Sequence, residues 1–361
     1  GVGLALTMLV AGCGHSSSIS QGPATSSTPV PSVATSSTRA ASATSQAARD
    51  LPDPHTLRGL TEVPELPDPK PVEGSSAQKL PVTVTDVEGN KVTIKSTSRI
   101  LALDLYGTLS RTLIGLGLGD KIVGRTVSST EKQLHDRPVV TENGHVLNVE
   151  AVAGLKPSVI IADRSVGPKE ALDQLRKSGI PVVLVDPHRS VGSTPQLIRT
   201  IADAVGKPDA GEALVKRTQE QIDQAKKQIA AWKPAKPMRV AFLYVRGNAG
   251  VFFILGSENG ASELIQGVGA DDVASDKGIT TLVPANAESL VSINPDAIFV
   301  MRDGLASTGG MKGLLARAGV ANTTAGRKQR VISIPDGISL SFGPQTGEVL
   351  TAVAKALYGV K

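Results

Sequence analysis

Two residues in this 361-residue sequence could together coordinate a hard metal ion, and a third could support one of them. His145 lies in the glycine-containing stretch 142–146, and Tyr244 lies near the end of the apolar run 240–245. A phenol has a pKa of about 10, so a tyrosine becomes an anionic donor at neutral pH only where cations stabilise the phenolate. Arg246 follows two residues later, and strand periodicity places it on the same side of the chain as Tyr244. An imidazole and a stabilised phenolate would favour Fe(III) over Fe(II), because an anionic oxygen is a hard donor.

Each of these residues also has an ordinary structural interpretation. A lone histidine in a loop is usually solvated or caps a helix, and a tyrosine at a strand end is usually half-buried core with its hydroxyl at the surface. The other histidines are weaker candidates. They are His15 and His55 in a low-complexity region, His135 in a charged segment, and His188 after Asp186-Pro187, where a polar role at the rim of a site is plausible.

Short apolar runs that alternate with amphipathic stretches predict the elements that position His145 and Tyr244. Strands are expected at 100–103, 159–162, 182–185, 240–245, 297–300 and 331–334, after a hairpin over 82–94. Helices are expected at 109–116, 169–177, 195–205 and 346–358, and around Ser262, Glu288 and Leu314. This order predicts an α/β fold with mostly parallel sheets, in which ligand crevices lie at the carboxyl ends of the strands.

The folded part of the chain is predicted to consist of two lobes. Residues 209–232 contain no glycine after Gly211 and place apolar side chains at helical spacing, which predicts one long, stiff helix. The motif 148–150, Asn-Val-Glu, recurs as Asn-Ala-Glu at 286–288, and a proline and an apolar strand follow both copies. We therefore expect duplicated lobes, with boundaries at 80–207 for the N-terminal lobe, 208–235 for the linker helix and 236–361 for the C-terminal lobe.

The N-terminal region indicates export and anchoring. An apolar run with small residues precedes Cys13, the only cysteine, as in a bacterial lipoprotein signal peptide; the alternative is a frayed terminus without function. We interpret 1–12 as an incomplete signal peptide and Cys13 as the lipidated residue, so no disulfide or catalytic thiol is expected. Residues 13–79 are rich in Ser, Thr, Ala and Pro, which predicts a disordered tether.

Neither an enzyme nor a nucleic-acid-binding protein is expected. The net charge of +5 is spread along the chain, without basic runs interleaved with aromatic residues. The glycine-rich stretch 115–119 suggests a nucleotide site, but it ends a predicted helix and precedes a strand, which is typical of a helix C-cap. The sequence shows no Ser/His/Asp set, paired carboxylate motif or HExxH motif.

Several of these features together resemble a known family. The hairpin that leads into 98–100, the segment 116–124 and the repeated Glu with Leu/Ile-x-Pro are similar to the iron-complex, heme and cobalamin binding proteins of ABC importers. The resemblance implies a class III periplasmic-binding-protein fold, with two Rossmann-like lobes joined by a single long backbone helix. It also implies a monomer, lipid-anchored on the outer face of the cytoplasmic membrane, that delivers its ligand to an ABC permease and its ATPase. In that family one glutamate of each lobe contacts the permease, and the resemblance implies this role for Glu150 and Glu288. The alternative is that both are ordinary glutamates near a helix N-terminus, where the helix dipole favours a negative charge.

The ligand pattern is similar to that of the heme-binding lipoproteins of actinobacterial hemin importers, the HmuT family. That resemblance implies that His145 and Tyr244 are the axial ligands of heme b, carried as cargo, with Arg246 hydrogen-bonded to the phenolate. Upstream surface heme-binding proteins would supply the heme. Candidate pocket walls are Phe252, Phe253, Met301 and Phe342, and candidate cations for the propionates are Arg164, Arg189 and Arg302. A ferric siderophore or cobalamin is the alternative ligand, although the chain has few of the aromatic residues on which cobalamin clefts depend.

Overall fold

The computed structural model describes residues 51–73 and 78–361, so the predictions on Cys13, His15 and the signal peptide lie outside the described residues. The strands are β1 (Leu60–Glu62), β2 (Val82–Thr85), β3 (Lys91–Ile94), β4 (Ile100–Leu103), β5 (Ile122–Gly124), β6 (Thr141–Glu142), β7 (Val146–Leu147), β8 (Val159–Ala162), β9 (Val182–Leu184), β10 (Arg239–Arg246), β11 (Val251–Ile254), β12 (Asp271–Asp272), β13 (Val283–Pro284), β14 (Ala297–Met301) and β15 (Val331–Ile334). The α-helices are α1 (Thr108–Gly115), α2 (Val149–Gly154), α3 (Lys169–Lys177), α4 (Thr194–Ala204), α5 (Pro208–Trp232), α6 (Ala261–Gly267), α7 (Ala287–Ile293), α8 (Arg302–Ser307), α9 (Gly310–Leu315), α10 (Thr324–Lys328), α11 (Asp336–Ser339) and α12 (Thr346–Tyr358). Among these helices, none is both long enough and apolar enough to cross a membrane.

The N-terminal lobe is built on a four-stranded parallel sheet in the order β5-β4-β8-β9. Both faces of the sheet are covered. Val159 and Ile161 of β8 contribute to one hydrophobic cluster with residues of α1 and α4, while Ile160 and Ala162 contribute to the other with residues of α2 and α3. Burial on both faces explains why these strands are continuous apolar runs rather than alternating patterns.

The C-terminal lobe is built on a larger, mixed sheet in the order β1-β15-β14-β10-β11-β13, with β12 also paired to β10. The strands β1, β15, β14 and β10 are parallel, and β11 and β13 are antiparallel additions at one edge. Phe242 and Phe299 pack on one face against α6 and α12, while Leu243 and Val300 pack on the other. The α/β prediction is confirmed, and the antiparallel edge is an element that the alternation did not predict.

The long helix α5 packs against both α4 and α12. It starts with Pro208, whose fixed φ suits the first turn and whose missing N–H would have no partner there. Its apolar stripe, which includes Leu214, Ile222 and Ile229, is buried. The stripe of one helix therefore contributes to the cores of both lobes, since Leu214 belongs to the N-terminal cluster and Ile229 to the C-terminal one.

The prediction of a disordered tether is wrong for residues 51–73. Strand β1 extends the C-terminal sheet by pairing in parallel with β15, and Val63 directly after it is completely buried. The chain then crosses to the N-terminal lobe, where the Asp68 carboxylate accepts the Lys132 and Gln133 amide hydrogens at 2.8 and 2.9 Å. The many prolines suggested disorder, but an edge segment can contain prolines and still be ordered, because it makes few ladder hydrogen bonds.

His55 is also part of the folded structure, because its side chain contacts the C-terminal lobe. Its Nε2 lies 3.0 Å from the Lys236 carbonyl oxygen, and its Nδ1 lies 3.6 Å from an Asp296 carboxylate oxygen. The first described residues are therefore attached to the C-terminal lobe.

Candidate functional site

The two lobes meet at the carboxyl ends of their central strands. The Arg111 guanidinium of α1 donates to the Gly337 carbonyl oxygen at 3.2 Å and to the Gln345 side-chain oxygen at 2.7 Å. The Thr108 hydroxyl donates to the Ser341 carbonyl oxygen. The chain after β4 thus touches the chain after β15, and we call the space bordered by these strand ends the interlobe crevice. Open α/β sheets bind ligands at such strand ends.

Tyr244 and Arg246 lie at the end of β10, on the C-terminal side of this crevice. Both side chains are half-buried, and the Arg246 guanidinium carbon lies 4.9 Å from the centre of the Tyr244 ring. The guanidinium also donates to the Asp336 carboxylate at 2.6 Å and contacts the Met301 sulfur at 3.3 Å. Burial raises the pKa of Asp336, and the adjacent Arg246 opposes that shift.

The structure differs from the expected hydrogen bond between Arg246 and the Tyr244 oxygen. The guanidinium lies over the face of the ring, and the Tyr244 hydroxyl makes no hydrogen bond to any described residue. Asp336 explains the difference, because an ionised carboxylate is a stronger acceptor for a guanidinium than a neutral phenol is. The positive charge is nevertheless held next to the phenol.

His145 lies in the tight turn between β6 and β7. Asn143 and Gly144 adopt positive φ angles of 48° and 88°, which turn the chain within three residues. The hairpin is fixed to the lobe, since the Gly167 amide donates to the His145 carbonyl oxygen at 2.9 Å. The imidazole itself is exposed and makes no hydrogen bond or ion pair within the described parts of the chain. It is neither a helix cap nor a core residue.

Arg189 is buried in a charged cluster at the strand ends of the N-terminal lobe. Its guanidinium pairs with the Asp163 carboxylate and lies 3.4 Å from that of Asp104. Burial raises the pKa of both carboxyls, that of Asp163 to about 6, although the positive charge of Arg189 opposes the shift. The guanidinium carbon also lies 5.3 Å from the centre of the Tyr106 ring. Sequence reasoning missed Tyr106, Asp104 and Asp163, although each follows a predicted strand end.

The other two predicted propionate cations are also paired within the protein. Arg164 binds Glu88 at 2.7 Å and Asp173 at 2.9 Å, and these hydrogen bonds, chiefly that with Glu88, raise its pKa. Arg302 binds Glu65 at 2.7 Å and also donates to the Val63 carbonyl oxygen. All three arginines predicted to bind the propionates therefore already have carboxylate partners within the protein.

The predicted apolar walls divide into two groups. Phe252 and Phe342 are only 7% and 5% exposed and pack within the hydrophobic cores. Phe253 is half-buried and directly opposite Tyr244 in the β10–β11 ladder, which places both side chains on the same face of the sheet. Met301 contacts Arg246, as described above. Phe253 and Met301 therefore lie beside the Tyr244 site.

Glu150 and Glu288 occupy corresponding exposed positions in the first turns of α2 and α7. Each helix is capped by the asparagine of the repeated motif, which accepts a backbone amide hydrogen at 2.9 Å in both lobes. Neither glutamate forms an ion pair with a described residue. The geometry is compatible with both interpretations, a favourable helix-dipole position and an exposed docking point.

The glycine-rich stretch 115–119 has the predicted structure. Helix α1 ends at Gly115, Gly117 has a φ of 79°, and β5 begins shortly after at Ile122. This is a helix end followed by a strand, whereas a dinucleotide site needs a strand followed by a helix.

These features define a two-lobed binding protein with a crevice between the lobes. The sequence model of the periplasmic binding protein family matches residues 105–337, and the chain belongs to this family. Members of the family are substrate-binding proteins of transport systems, so the chain is not an enzyme.

Individual relatives agree with this assignment. The structure is similar to crystal structures of the heme binding protein HmuT, with 49% identity and a TM-score of 0.84 over 86% of this chain and 100% of that one. It is also similar to the periplasmic heme-binding protein RhuT from Roseiflexus sp. RS-1, with 32% identity and a TM-score of 0.68 over 73% and 99% of the two chains. An uncharacterized ABC transporter substrate-binding lipoprotein, YvrC of Bacillus subtilis (strain 168), is 27% identical over 280 residues, which cover 77% of this chain and 86% of that protein.

Proposed function

We propose that this protein binds ferric heme in the interlobe crevice, with His145 and Tyr244 as axial ligands, and delivers it to an ABC permease outside the cytoplasmic membrane. The observation that carries the proposal is the arrangement at the end of β10, where Arg246 is stacked on Tyr244 and held by Asp336 at 2.6 Å. A tyrosine that must become an anionic donor needs a fixed positive charge beside it.

The chemistry follows from the two donors. The Tyr244 phenol loses its proton when Fe(III) binds, because the metal ion and the neighbouring guanidinium both stabilise the phenolate. Asp336 keeps the guanidinium in place, so the positive charge does not have to be brought in when the ligand arrives. The His145 imidazole, which has no partner among the described residues, supplies the neutral nitrogen donor from the other lobe.

The HmuT structures support this choice of residues. Variants of that protein in which a histidine, a tyrosine or an arginine is replaced by alanine have been crystallised. The three replaced positions have the same spacing along that chain as His145, Tyr244 and Arg246 have in this one.

Delivery would need both a membrane anchor and contacts with the permease. A lipid on Cys13 would anchor the chain to the membrane. Glu150 and Glu288, exposed on corresponding helices of the two lobes, would contact basic residues of the permease subunits.

Titration of the purified protein with hemin tests the proposal. We expect saturable binding with a sharp Soret band and a ferric high-spin or mixed-spin spectrum. His145→Ala and Tyr244→Ala should each change that spectrum. The matched control is His135→Ala, which removes an exposed histidine that contacts only its neighbour Asp136, and it should leave the spectrum unchanged. Unaltered spectra in both crevice variants would refute the proposed ligands, and preferential binding of a ferric siderophore or cobalamin would refute the proposed cargo.

A further inference from the structure

The N-terminal lobe has its own tyrosine close to the place that corresponds to Tyr244, two residues beyond the equivalent position in the strand register. Strands β4 and β10 occupy equivalent places, since they pair with β8 and β14, the strands that follow the two copies of the repeated motif. Tyr106 follows the end of β4, slightly further along than Tyr244 lies on β10. Both rings carry a stacked arginine, Arg189 at 5.3 Å and Arg246 at 4.9 Å. Each arginine is in turn held by an aspartate.

Contacts between the lobes place both tyrosines at the same crevice. Gly107 follows Tyr106 and lies next to Gly337, since a Cβ atom at position 107 would be in ordinary contact with the Gly337 carbonyl oxygen, at 3.4 Å. Asp336, the neighbour of Gly337, binds the arginine that is stacked on Tyr244. The rings of Tyr106 and Tyr244 also pack against the same hydrophobic cluster of the C-terminal lobe.

The surroundings of Tyr106 keep it in its neutral form. Burial raises the pKa of its phenol, and the nearby carboxylates of Asp163 and Asp104 raise it further, against the opposing effect of Arg189. A phenol that stays protonated at neutral pH is a hydrogen-bond donor rather than an anionic ligand for iron. Its hydroxyl makes no hydrogen bond within 51–73 or 78–361. Tyr106 is thus a half-buried donor at the border of the crevice, and no described residue accepts its hydrogen bond.

We propose that Tyr106 binds the cargo directly, by donating a hydrogen bond from its hydroxyl to a heme propionate. This inference rests on the proposed function. The four porphyrin nitrogens of heme bind the iron, so its hydrogen-bond acceptors are the two propionate groups. The arginines expected to bind them, Arg164, Arg189 and Arg302, are already paired with carboxylates of the protein. Arg189 therefore acts through Tyr106, as a positioning residue stacked on its ring.

The test compares two ligands and two variants. Tyr106→Phe removes only the hydroxyl, and dissociation of heme is followed by transfer to excess apomyoglobin. A hydrogen bond to a charged group contributes about 1.5 to 3 kcal/mol, so we expect hemin to leave the variant about 10-fold faster or more. With hemin dimethyl ester, whose uncharged ester oxygens accept weaker hydrogen bonds, the difference between wild type and Tyr106→Phe should be smaller than with hemin. Leu105→Ala, an exposed neighbour at 39% exposure, is the matched control and should dissociate like wild type.

Each outcome of the test is informative. Equal hemin dissociation from wild type and Tyr106→Phe would overturn the role of Tyr106 while leaving His145 and Tyr244 in place. An equal acceleration with both ligands would also overturn it, because the effect would then not depend on the propionates. A changed Soret band in Tyr106→Phe would assign the phenol to the iron instead. Failure of wild type to bind hemin would refute the proposed function itself.

Discussion

Val63 provides a quantitative test of the finding that residues 51–73 are part of the folded structure. Its side chain is completely exposed in an unfolded tether but 0% exposed here, within the cluster that contains Phe242 and Ile332. Val63→Ala removes two carbon atoms from this core. At about 0.8 kcal/mol for each buried carbon, plus a contribution from the cavity that remains, the free energy of unfolding should fall by about 2 kcal/mol.

Urea denaturation of the purified protein measures this change. Val87→Ala is the matched control, because Val87 is 57% exposed in the turn between β2 and β3 and its truncation should change the free energy of unfolding by less than about 0.5 kcal/mol. Equal midpoints for Val63→Ala and Val87→Ala would refute the packing of the N-terminal segment on the C-terminal sheet. The backbone hydrogen bond from Val63 to the Ser333 carbonyl oxygen, at 2.8 Å, is unaffected by either substitution, so the comparison isolates the side chain.

Three further predictions concern the charged groups. Burial raises the pKa of Asp163 to about 6, so this carboxyl binds its proton more tightly in the folded protein than in the unfolded chain. The bound proton therefore stabilises the folded protein. This stabilisation is fully present below about pH 4 and is lost as the pH rises through 6. Wild type should therefore lose more stability than Asp163→Asn between pH 4 and 7 in urea denaturation, and parallel curves would contradict this. Arg246→Ala removes the charge beside the phenolate, so hemin should dissociate about 10-fold faster in the apomyoglobin transfer assay, whereas an unchanged rate would show that the stacked guanidinium does not stabilise the ligand. The double variant Glu150→Arg, Glu288→Arg should abolish hemin uptake by cells but retain wild-type hemin affinity, and normal uptake would eliminate these glutamates as docking points.

Local patterns were sufficient to predict most of the elements. The strands 159–162 and 331–334 and the helix 169–177 have the expected bounds, because uninterrupted apolar runs and a helical period are properties of adjacent residues. The repeated Asn-x-Glu motif likewise predicted duplicated lobes, and in both lobes its asparagine caps a helix that precedes an equivalent strand.

Pairings between distant segments could not be predicted in this way. Strand β1 depends on β15, about 270 residues later in the chain, and its own sequence is too short and too rich in proline nearby to indicate a strand. Arg246 is directed to the face of the Tyr244 ring by Asp336, and Arg189 is neutralised by Asp163 and Asp104. Each of these contacts joins different strand ends, which only the folded sheet brings together.

The coordination of iron by one residue from each lobe is the central claim, and a crystal structure of the hemin-loaded protein tests it most directly. We predict that the Tyr244 oxygen and a ring nitrogen of His145 bind the iron from opposite faces of the porphyrin, with the Arg246 guanidinium beside Tyr244. Hemin bound in the crevice with either side chain turned away from the iron would contradict the account.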